Sequence, residues 1–316
     1  MMSKKISFVI PCYRSENTVG KVIDEIINII SDMQEYDYEI IAVDDFSPDN
    51  VFNVLKCMAS KNEKIKVIGF SKNFGQHAGM MAGVRASTGD YVVFLDDDGQ
   101  CPIDRLNEMI KPLEEGYDIT IAEYGKKKQS TFKNICSSLN EFAANILIDK
   151  PKDIQMGNFM AIKRFVADEI NNYKGPYPYI SGLLFRSSNR ILNVSMEERK
   201  RMEGKTTYTF RKMFSLWLNS FTAFSIKPLR LATVMGIICS MLGFLYGIFV
   251  IIRKIINPAI MMGYSSLMAV ILFIGGMILF VVGIIGEYIG RIYMCINETP
   301  QYVIKKRVNL TDEDIK

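Results

Sequence analysis

Two acidic turns carry the chemistry open to this sequence. Asp44-Asp45 and Asp96-Asp97-Asp98 each close a short run of apolar residues, and Gln100 stands two positions beyond the second turn. Five carboxylates brought to one place repel one another unless a cation sits among them. Closely spaced oxygen ligands suit Mg2+ or Mn2+, which keep several waters and bind through one or two carboxylates together with the phosphates of a substrate. A metal so placed neutralises a diphosphate leaving group. The pattern therefore reads as transfer from a nucleotide diphosphate donor, with no nucleophilic protein side chain required.

Other reactive groups offer less. The six cysteines (Cys12, Cys57, Cys101, Cys136, Cys239, Cys295) have no C-x-x-C spacing, and with His77 as the single histidine no zinc cluster can be assembled. Scattered free thiols fit a reducing compartment. His77 itself is expected to be a structural or surface group. Gly204-Lys205-Thr206 looks like the end of a phosphate-binding P-loop, but that motif needs glycine where Arg199 stands.

The acidic turns need elements to position them. Ile6–Ile10, Glu39–Val43, Ile65–Phe70 and Tyr91–Leu95 are short, rich in Ile and Val, and too evenly apolar to be half-exposed strands. Between them Asn17–Met33, Asn50–Ser60 and Phe74–Ala86 have helical period. Strand alternating with helix implies an α/β fold, a parallel sheet covered on both faces. Ligands collect at the carboxyl ends of such strands. There lie Pro11 to Glu16, Asp44 to Asp49, Ser71 to Gly75 and Asp96 to Gln100, all expected along one edge.

The whole chain has 316 residues, 49% apolar and 23% charged, and a mean hydropathy of +0.11 that is high for such a charged fraction. Two compositions are averaged in it. The length excludes a disulfide mini-protein or a disordered chain, and a net charge of +4 gives no reason to expect nucleic acid. Leu231–Ile252 and Ser265–Ile285 are uncharged runs of 22 and 21 residues, each long enough to cross a hydrocarbon core as a helix. Only 12 residues, Arg253 to Tyr264, join them, so they read as a transmembrane hairpin. Lys227, Arg230, Arg291, Lys305, Lys306 and Arg307 outweigh Arg253 and Lys254 in the connection, which places both termini inside. Lys4 and Lys5 precede an apolar run too short for an export signal, so the first 200 or so residues are expected on the cytoplasmic face of the inner membrane. Gly243 with Gly247 and Gly286 with Gly290 form G-x-x-x-G pairs suited to packing within the hairpin or in a homo-oligomer. Ahead of the first span, Phe210, Met213, Phe214, Trp217, Leu218 and Phe221 recur at helical spacing, an amphipathic stretch of the kind that lies in the membrane interface among its lipids.

With both parts in place, the chain resembles the family 2 glycosyltransferases of the GT-A fold, and within them the polyprenyl-phosphate group of dolichyl-phosphate mannose synthase and the bactoprenol glucosyltransferases. The resemblance rests on FVIPCYRSENT (Phe8–Thr18), VDDFSPD (Val43–Asp49), SKNFGQHAG (Ser71–Gly79), LDDDGQCP (Leu95–Pro102), RMEGKTTYTFRKM (Arg201–Met213), FSIKPLR (Phe224–Arg230) and GEYIGRIY (Gly286–Tyr293). It implies a Rossmann-like, mostly parallel GT-A domain over 1–205, a juxtamembrane helix over 206–228, two transmembrane helices over 229–293 and a cytoplasmic tail over 294–316. Pro11, Tyr13, Glu16, Asp44, Asp45, Lys72 and Asp97 are then the nucleotide-sugar contacts, with Tyr13 and Glu16 lining the base pocket and Asp45 on base or ribose. Asp96 and Asp98 are the acidic ends of the D-x-D motif, serving catalysis and the metal with Gln100 as companion ligand.

The implied reaction is inverting, metal-dependent transfer from a nucleotide sugar, a UDP-hexose, to a polyprenyl phosphate. Arg201 with Arg199 or Lys205 would grip the acceptor phosphate through paired hydrogen bonds. Cys101 stands where an acidic residue is common, and Asn158 where several relatives carry an aspartate proposed as base. A lipid phosphate with a second pKa near ~6 arrives mostly deprotonated, so a strong base is not needed. A processive polysaccharide synthase is excluded, because Trp217, the only tryptophan, lacks the Q-x-x-R-W context. A lipid-diphosphate-linked oligosaccharide acceptor and a non-catalytic membrane scaffold remain as alternatives.

Overall fold

The computed structural model describes residues 3–125, 153–199, 227–257 and 263–311, which fall into two units, 3–199 with 298–311 and 227–257 with 263–297. In the first unit β1 (Lys4–Cys12), β2 (Tyr36–Asp44), β3 (Ile65–Phe70) and β4 (Tyr91–Phe94) alternate with α1 (Val19–Asp32), α2 (Val51–Ala59) and α3 (Gln76–Ala86). These are the expected strands and helices, with ends moved by a few residues. A 3-10 turn (Ile103–Arg105) and α4 (Leu106–Glu114) lead to β5 (Ile119–Tyr124), and β6 (Met160–Lys163), α5 (Arg164–Asn171), α6 (Ile180–Ser187) and β7 (Ile191–Met196) follow. After the second unit comes β8 (Ile304–Val308).

All eight strands form one sheet in the order β7-β5-β6-β4-β1-β2-β3-β8. β1 pairs in parallel with both β2 and β4, β2 with β3 and β5 with β7, while β6 and β8 run against their neighbours. The chain moves outward from β1 in both directions, so a crevice opens where β1 meets β4 at their carboxyl ends. Continuous burial from Ile6 to Cys12 explains the unbroken apolar run of β1, which is covered on both faces. One cover is α3, and it lies close. A Cβ at Gly83 would collide with Val9 and one at Gly79 would come 3.0 Å from the Pro11 ring.

Toward the amino ends of the central strands Glu39 of β2 is buried, yet it accepts hydrogen bonds from Lys5 Nζ (3.0 Å), Ser7 Oγ (2.6 Å) and Thr88 N (2.6 Å) and pairs with Lys66 Nζ (2.8 Å). Burial opposes its ionisation, but Lys66, Ser7 and Thr88 outweigh it and hold the carboxyl at about 2.

One expectation is corrected. The segment 294–316 is not simply a tail, because Ile304–Val308 pairs antiparallel with β3 and covers that edge of the sheet. Ser71 N donates to Val303 O (2.9 Å), and Asn309 Nδ2 donates to Ala59 O (2.8 Å) and Ile65 O (2.9 Å), fastening both ends of the strand. Lys305, Lys306 and Arg307, counted above only as charges after the second span, lie within this strand, and charges are what an edge strand carries on its open side.

The second unit consists of α7 (Lys227–Ile256) and α8 (Tyr264–Ile296). Windows of mean hydropathy 1.9 (Ala232–Phe249) and 2.0 (Phe273–Ile296) are almost entirely unburied, so both helices are long and apolar enough to cross a membrane. At Gly243, Gly247, Gly286 and Gly290 a Cβ would meet nothing within 4 Å, so among the described residues these glycines do not seat one helix on the other. The interfacial helix expected over 206–228 lies outside the described residues except for its last two positions, which open α7.

Candidate active site

The four strand-end loops meet at the crevice between β1 and β4, and hydrogen bonds bind them to one another. Tyr13 N donates to Asp97 Oδ2 (2.9 Å), joining the β1 loop to the acidic turn after β4. Asp97 therefore faces inward, and burial pushes its carboxyl up against the pull of that hydrogen bond. Arg14, at φ 59°, turns the β1 loop so that its N–H meets Ser47 Oγ (2.7 Å) after β2. Glu16 accepts from Asn50 N (2.8 Å) at the start of α2, and its own N–H donates to Asp49 Oδ2 (3.0 Å). Tyr13 is left with an exposed ring.

Asp44 and Asp45 are both buried. Asp44 Oδ1 accepts from Ser47 N (2.9 Å), and burial raises its pKa. Asp45 accepts from Phe74 N (2.6 Å) and Gly75 N (2.8 Å), fixing the loop after β3, where Gly75 needs φ 93°. Burial pushes Asp45 up to about 6 although both N–H groups oppose it. Lys72, on the same loop, is exposed with its ammonium 5.0 Å from the Phe74 ring centre. Pro11, expected among the donor contacts, is instead buried beneath α3, where it supports the loop from behind.

Asp96 is held from both sides. Gln76 Nε2, at the start of α3, donates to Oδ1 (2.8 Å), and Asn158 Nδ2, in the turn before β6, donates to Oδ2 (2.8 Å). Gly99, at φ 75°, bends the acidic turn so that Gln100 N donates to Asp98 Oδ1 (3.0 Å). The Gln100 side chain donates to Glu198 Oε1 (2.9 Å) and Arg199 O (3.3 Å), and Arg199 N returns a bond to Gln100 O (3.1 Å). Cys101 is buried and its thiol is pushed up to about 12 by burial and by Asp96, which makes it unreactive.

Two outcomes differ from the sequence reading. Arg199, expected among the acceptor-phosphate cations, spans Glu25 (2.6 Å) and Asp104 (2.5 Å), so its guanidinium is committed to two carboxylates. Arg201 and Lys205 lie outside the described residues. Gln76 and Glu198 were not anticipated, and their only signal is local: Gln76 opens a helix after a strand-end loop, and Glu198 precedes the basic cluster. His77 is structural, with its ring against Tyr179 at 5.0 Å and burial lowering its pKa to about 4.

Among the described residues no three His, Cys, Asp or Glu side chains gather closely enough to hold a metal by themselves. An oxygen-only set of one or two carboxylates, to be completed by substrate phosphates, still fits Mg2+ or Mn2+. The arrangement is an acidic rim around a polar crevice, and among the described residues no nucleophile is activated by a base.

Comparison with known proteins agrees with this geometry. Residues 7–170 match the model for glycosyl transferase family 2, and residues 227–292 match the GtrB C-terminal hairpin. The chain is 29% identical to undecaprenyl-phosphate 4-deoxy-4-formamido-L-arabinose transferase of Proteus mirabilis, over 97% of this chain and 94% of that one. It is 28% identical to a prophage bactoprenol glucosyl transferase homolog of Escherichia coli, over 96% and 99%. Its fold matches the glucosyl-3-phosphoglycerate synthase of Mycobacterium tuberculosis, solved with Mn2+ and UDP-glucose, with a TM-score of 0.52 at 18% identity over 69% of this chain and 77% of that one. The chain belongs to glycosyl transferase family 2, and it is a glycosyltransferase of the GT-A fold.

Proposed function

We propose that this enzyme transfers a sugar, with inversion, from a nucleotide diphosphate sugar to a polyprenyl phosphate at the cytoplasmic face of the membrane, with Mg2+ or Mn2+ at Asp96 and Asp98. The observation that carries the reading is Asp96 held between Gln76 and Asn158 at the crevice between β1 and β4, where an α/β sheet collects its ligand. Two relatives that match from end to end are named for undecaprenyl phosphate and bactoprenol, which supports a lipid acceptor. Their names carry different sugars, so the shared architecture leaves the sugar open; a UDP-hexose is the donor to try first.

A bound divalent ion would neutralise the charge that develops on the departing diphosphate. The chain supplies the rest by positioning and electrostatics. Asp45 and Asp97 hold neighbouring loops through backbone N–H groups and so shape the donor pocket, in which the exposed Tyr13 ring, with the Arg14 guanidinium 5.4 Å from its centre, is the surface on which the base would stack. Lys72 adds a cation at the rim. Asn158 is an amide and takes no proton, which suits an acceptor phosphate already ionised at neutral pH. Arg201 and Lys205 are the cations we assign to that phosphate.

The test is turnover by the full chain in detergent with a panel of nucleotide sugars, offered undecaprenyl phosphate or a lipid-diphosphate saccharide. One sugar should appear on the lipid phosphate with release of nucleoside diphosphate, and excess chelator should stop it. Product on the diphosphate saccharide alone would move the assignment to oligosaccharide extension.

A further inference from the structure

The loop after β3 carries Lys72, and α3 behind it opens with Gln76, which holds Asp96. Asp45 fastens that loop through Phe74 N and Gly75 N, and its carbonyl accepts from Asn73 Nδ2 (3.1 Å). A second hold comes from the stretch between α8 and β8, Gln301-Tyr302-Val303. β8 enters its pairing irregularly: Lys306 is paired with Gly69, but Phe70 with Ile304, so the register slips between them. A slip of this kind re-aims the side chains beside it. The Tyr302 ring stacks on the buried Phe70 ring, with centres 5.1 Å apart and planes at 15°, and Phe70 meets the Phe74 ring edge-on at 5.6 Å and 81°. The Lys72 ammonium lies 5.0 Å from the centre of that last ring. The Tyr302 hydroxyl turns instead to α3, accepting from Arg85 Nη1 (3.1 Å) in the last turn of the helix.

Tyr302 therefore touches the segment from Phe70 to Arg85 at both its ends, the strand end ahead of the loop and the last turn of the helix behind it. We propose that Tyr302 is a positioning residue for sugar transfer: it fixes the pair Phe70 and Phe74, and so the loop that carries Lys72, relative to the helix whose first residue orients Asp96. This rests on the donor and its metal standing at the acidic turns. The backbone on each side of Tyr302 is tied down, because Gln301 Nε2 donates to Tyr173 O (2.9 Å) and Gly175 O (2.8 Å) while Val303 O accepts from Ser71 N (2.9 Å). Tyr302 is thus held in place before it holds anything else. Offset stacking and edge-on contact are the arrangements aromatic rings favour, since the ring edge is positive and the face negative. The same negative face attracts the Lys72 ammonium to Phe74. With the ring at 302 removed, Phe70 can turn, Phe74 loses a fixed neighbour, and the loop depends on Asp45. A misplacement of about 1 Å in a positioning element can cost on the order of 100-fold in rate, so modest loosening is enough to measure.

The experiment compares Tyr302→Leu, which removes the ring, with Tyr302→Phe, which keeps the stack and drops only the hydroxyl, each in the full chain in detergent. Tyr36→Leu is the control for lost packing, since the Tyr36 ring, at the start of β2, meets Tyr91 edge-on at 6.5 Å. The donor is the one wild type prefers from a panel of UDP-, GDP-, dTDP- and CMP-sugars, with Mn2+ present and undecaprenyl phosphate as acceptor. Tyr302→Leu should raise the KM for the nucleotide sugar about 10-fold and leave that for the lipid phosphate unchanged, while Tyr302→Phe brings it back to within about twofold of wild type. Hydrogen exchange adds a readout that needs no substrate: the amides of 71–86 should exchange faster in Tyr302→Leu and at the wild-type rate in Tyr36→Leu. A wild-type donor KM in Tyr302→Leu, equal rises in both KM values, or the same pattern in Tyr36→Leu would make Tyr302 a packing residue and overturn the inference alone. Wild-type enzyme that turns over no nucleotide sugar would overturn the donor reading and the inference with it. Should Tyr302→Leu fail to fold, Tyr302→Phe decides through Arg85: faster exchange in the last turn of α3 supports the hold, and wild-type exchange there overturns it.

Discussion

Asp96 accepts one side-chain amide on each oxygen, and the donors come from distant parts of the chain, Gln76 at the head of α3 and Asn158 before β6. A carboxylate at 158 would repel Asp96 at 2.8 Å, whereas the amide orients it, so the asparagine is at home in this site. Gln76→Leu and Asn158→Leu should each raise the Mn2+ concentration for half-maximal transfer roughly 10- to 100-fold, the usual effect of removing a partner that orients a metal ligand. An unchanged Mn2+ titration with reduced activity would show that the amides serve something else. Asp98→Asn should remove most activity without moving the thermal midpoint, because its loop buries little apolar surface. Residual turnover near the wild-type rate would remove Asp98 from the metal site. These partnerships could not be read from the sequence, since they join positions 20, 62 and 98 residues apart. The acidic turns themselves were legible, because a D-x-D after a buried strand is local.

The four parallel strands and their helices were legible for the same local reason: β1 to β4 are apolar on both faces, a pattern set by covering helices. β8 was not, because Ile-Lys-Lys-Arg-Val has meaning as a strand only beside the open edge of β3. The close approach of α3 to β1 is also tertiary, and it bears on the site because α3 begins with Gln76. Gly83→Val should overpack against Val9, cost about 1–3 kcal/mol, and reduce Mn2+ response together with stability; a full metal response would mean that α3 yields without moving Gln76. The Glu39 cluster belongs to this scale too, since it joins β1, β2, β3 and the turn before β4. With its carboxyl held at about 2 against an ordinary 4.5, and its side chain 2% exposed, its ionisation contributes about 3 kcal/mol. That stability is fully present above about pH 4.5 and is lost as pH falls through about 2. Glu39→Gln should therefore lower neutral-pH stability by that order, with the difference from wild type closing as pH drops through this window. A constant difference from pH 7 to 2 would show that the charge is not its source.

The pairing of β8 with β3 constrains the whole molecule more firmly than loop charges do. Residues before and after the hairpin belong to the same sheet, so they must lie on one side of any membrane, and the chain between them crosses it an even number of times. Two described helices, α7 and α8, are long and apolar enough to cross, and they satisfy that parity together. The excess of Lys227, Arg230 and Arg291, with Lys305 to Arg307, over Arg253 and Lys254 is the basis of the proposed orientation, with the sheet on the cytoplasmic side and the connection around Asn257 on the other. In sealed cells, tags fused at Met1 and Lys316 should both be shielded from an impermeant reagent, while a tag inserted after Asn257 reacts. Opposite labelling of the two termini would break the sheet pairing as well as the hairpin, because β8 could not reach β3 across a bilayer. Reaction at both termini with shielding at Asn257 would keep the fold and invert the orientation, moving the site to the outer face, away from a cytoplasmic supply of nucleotide sugar.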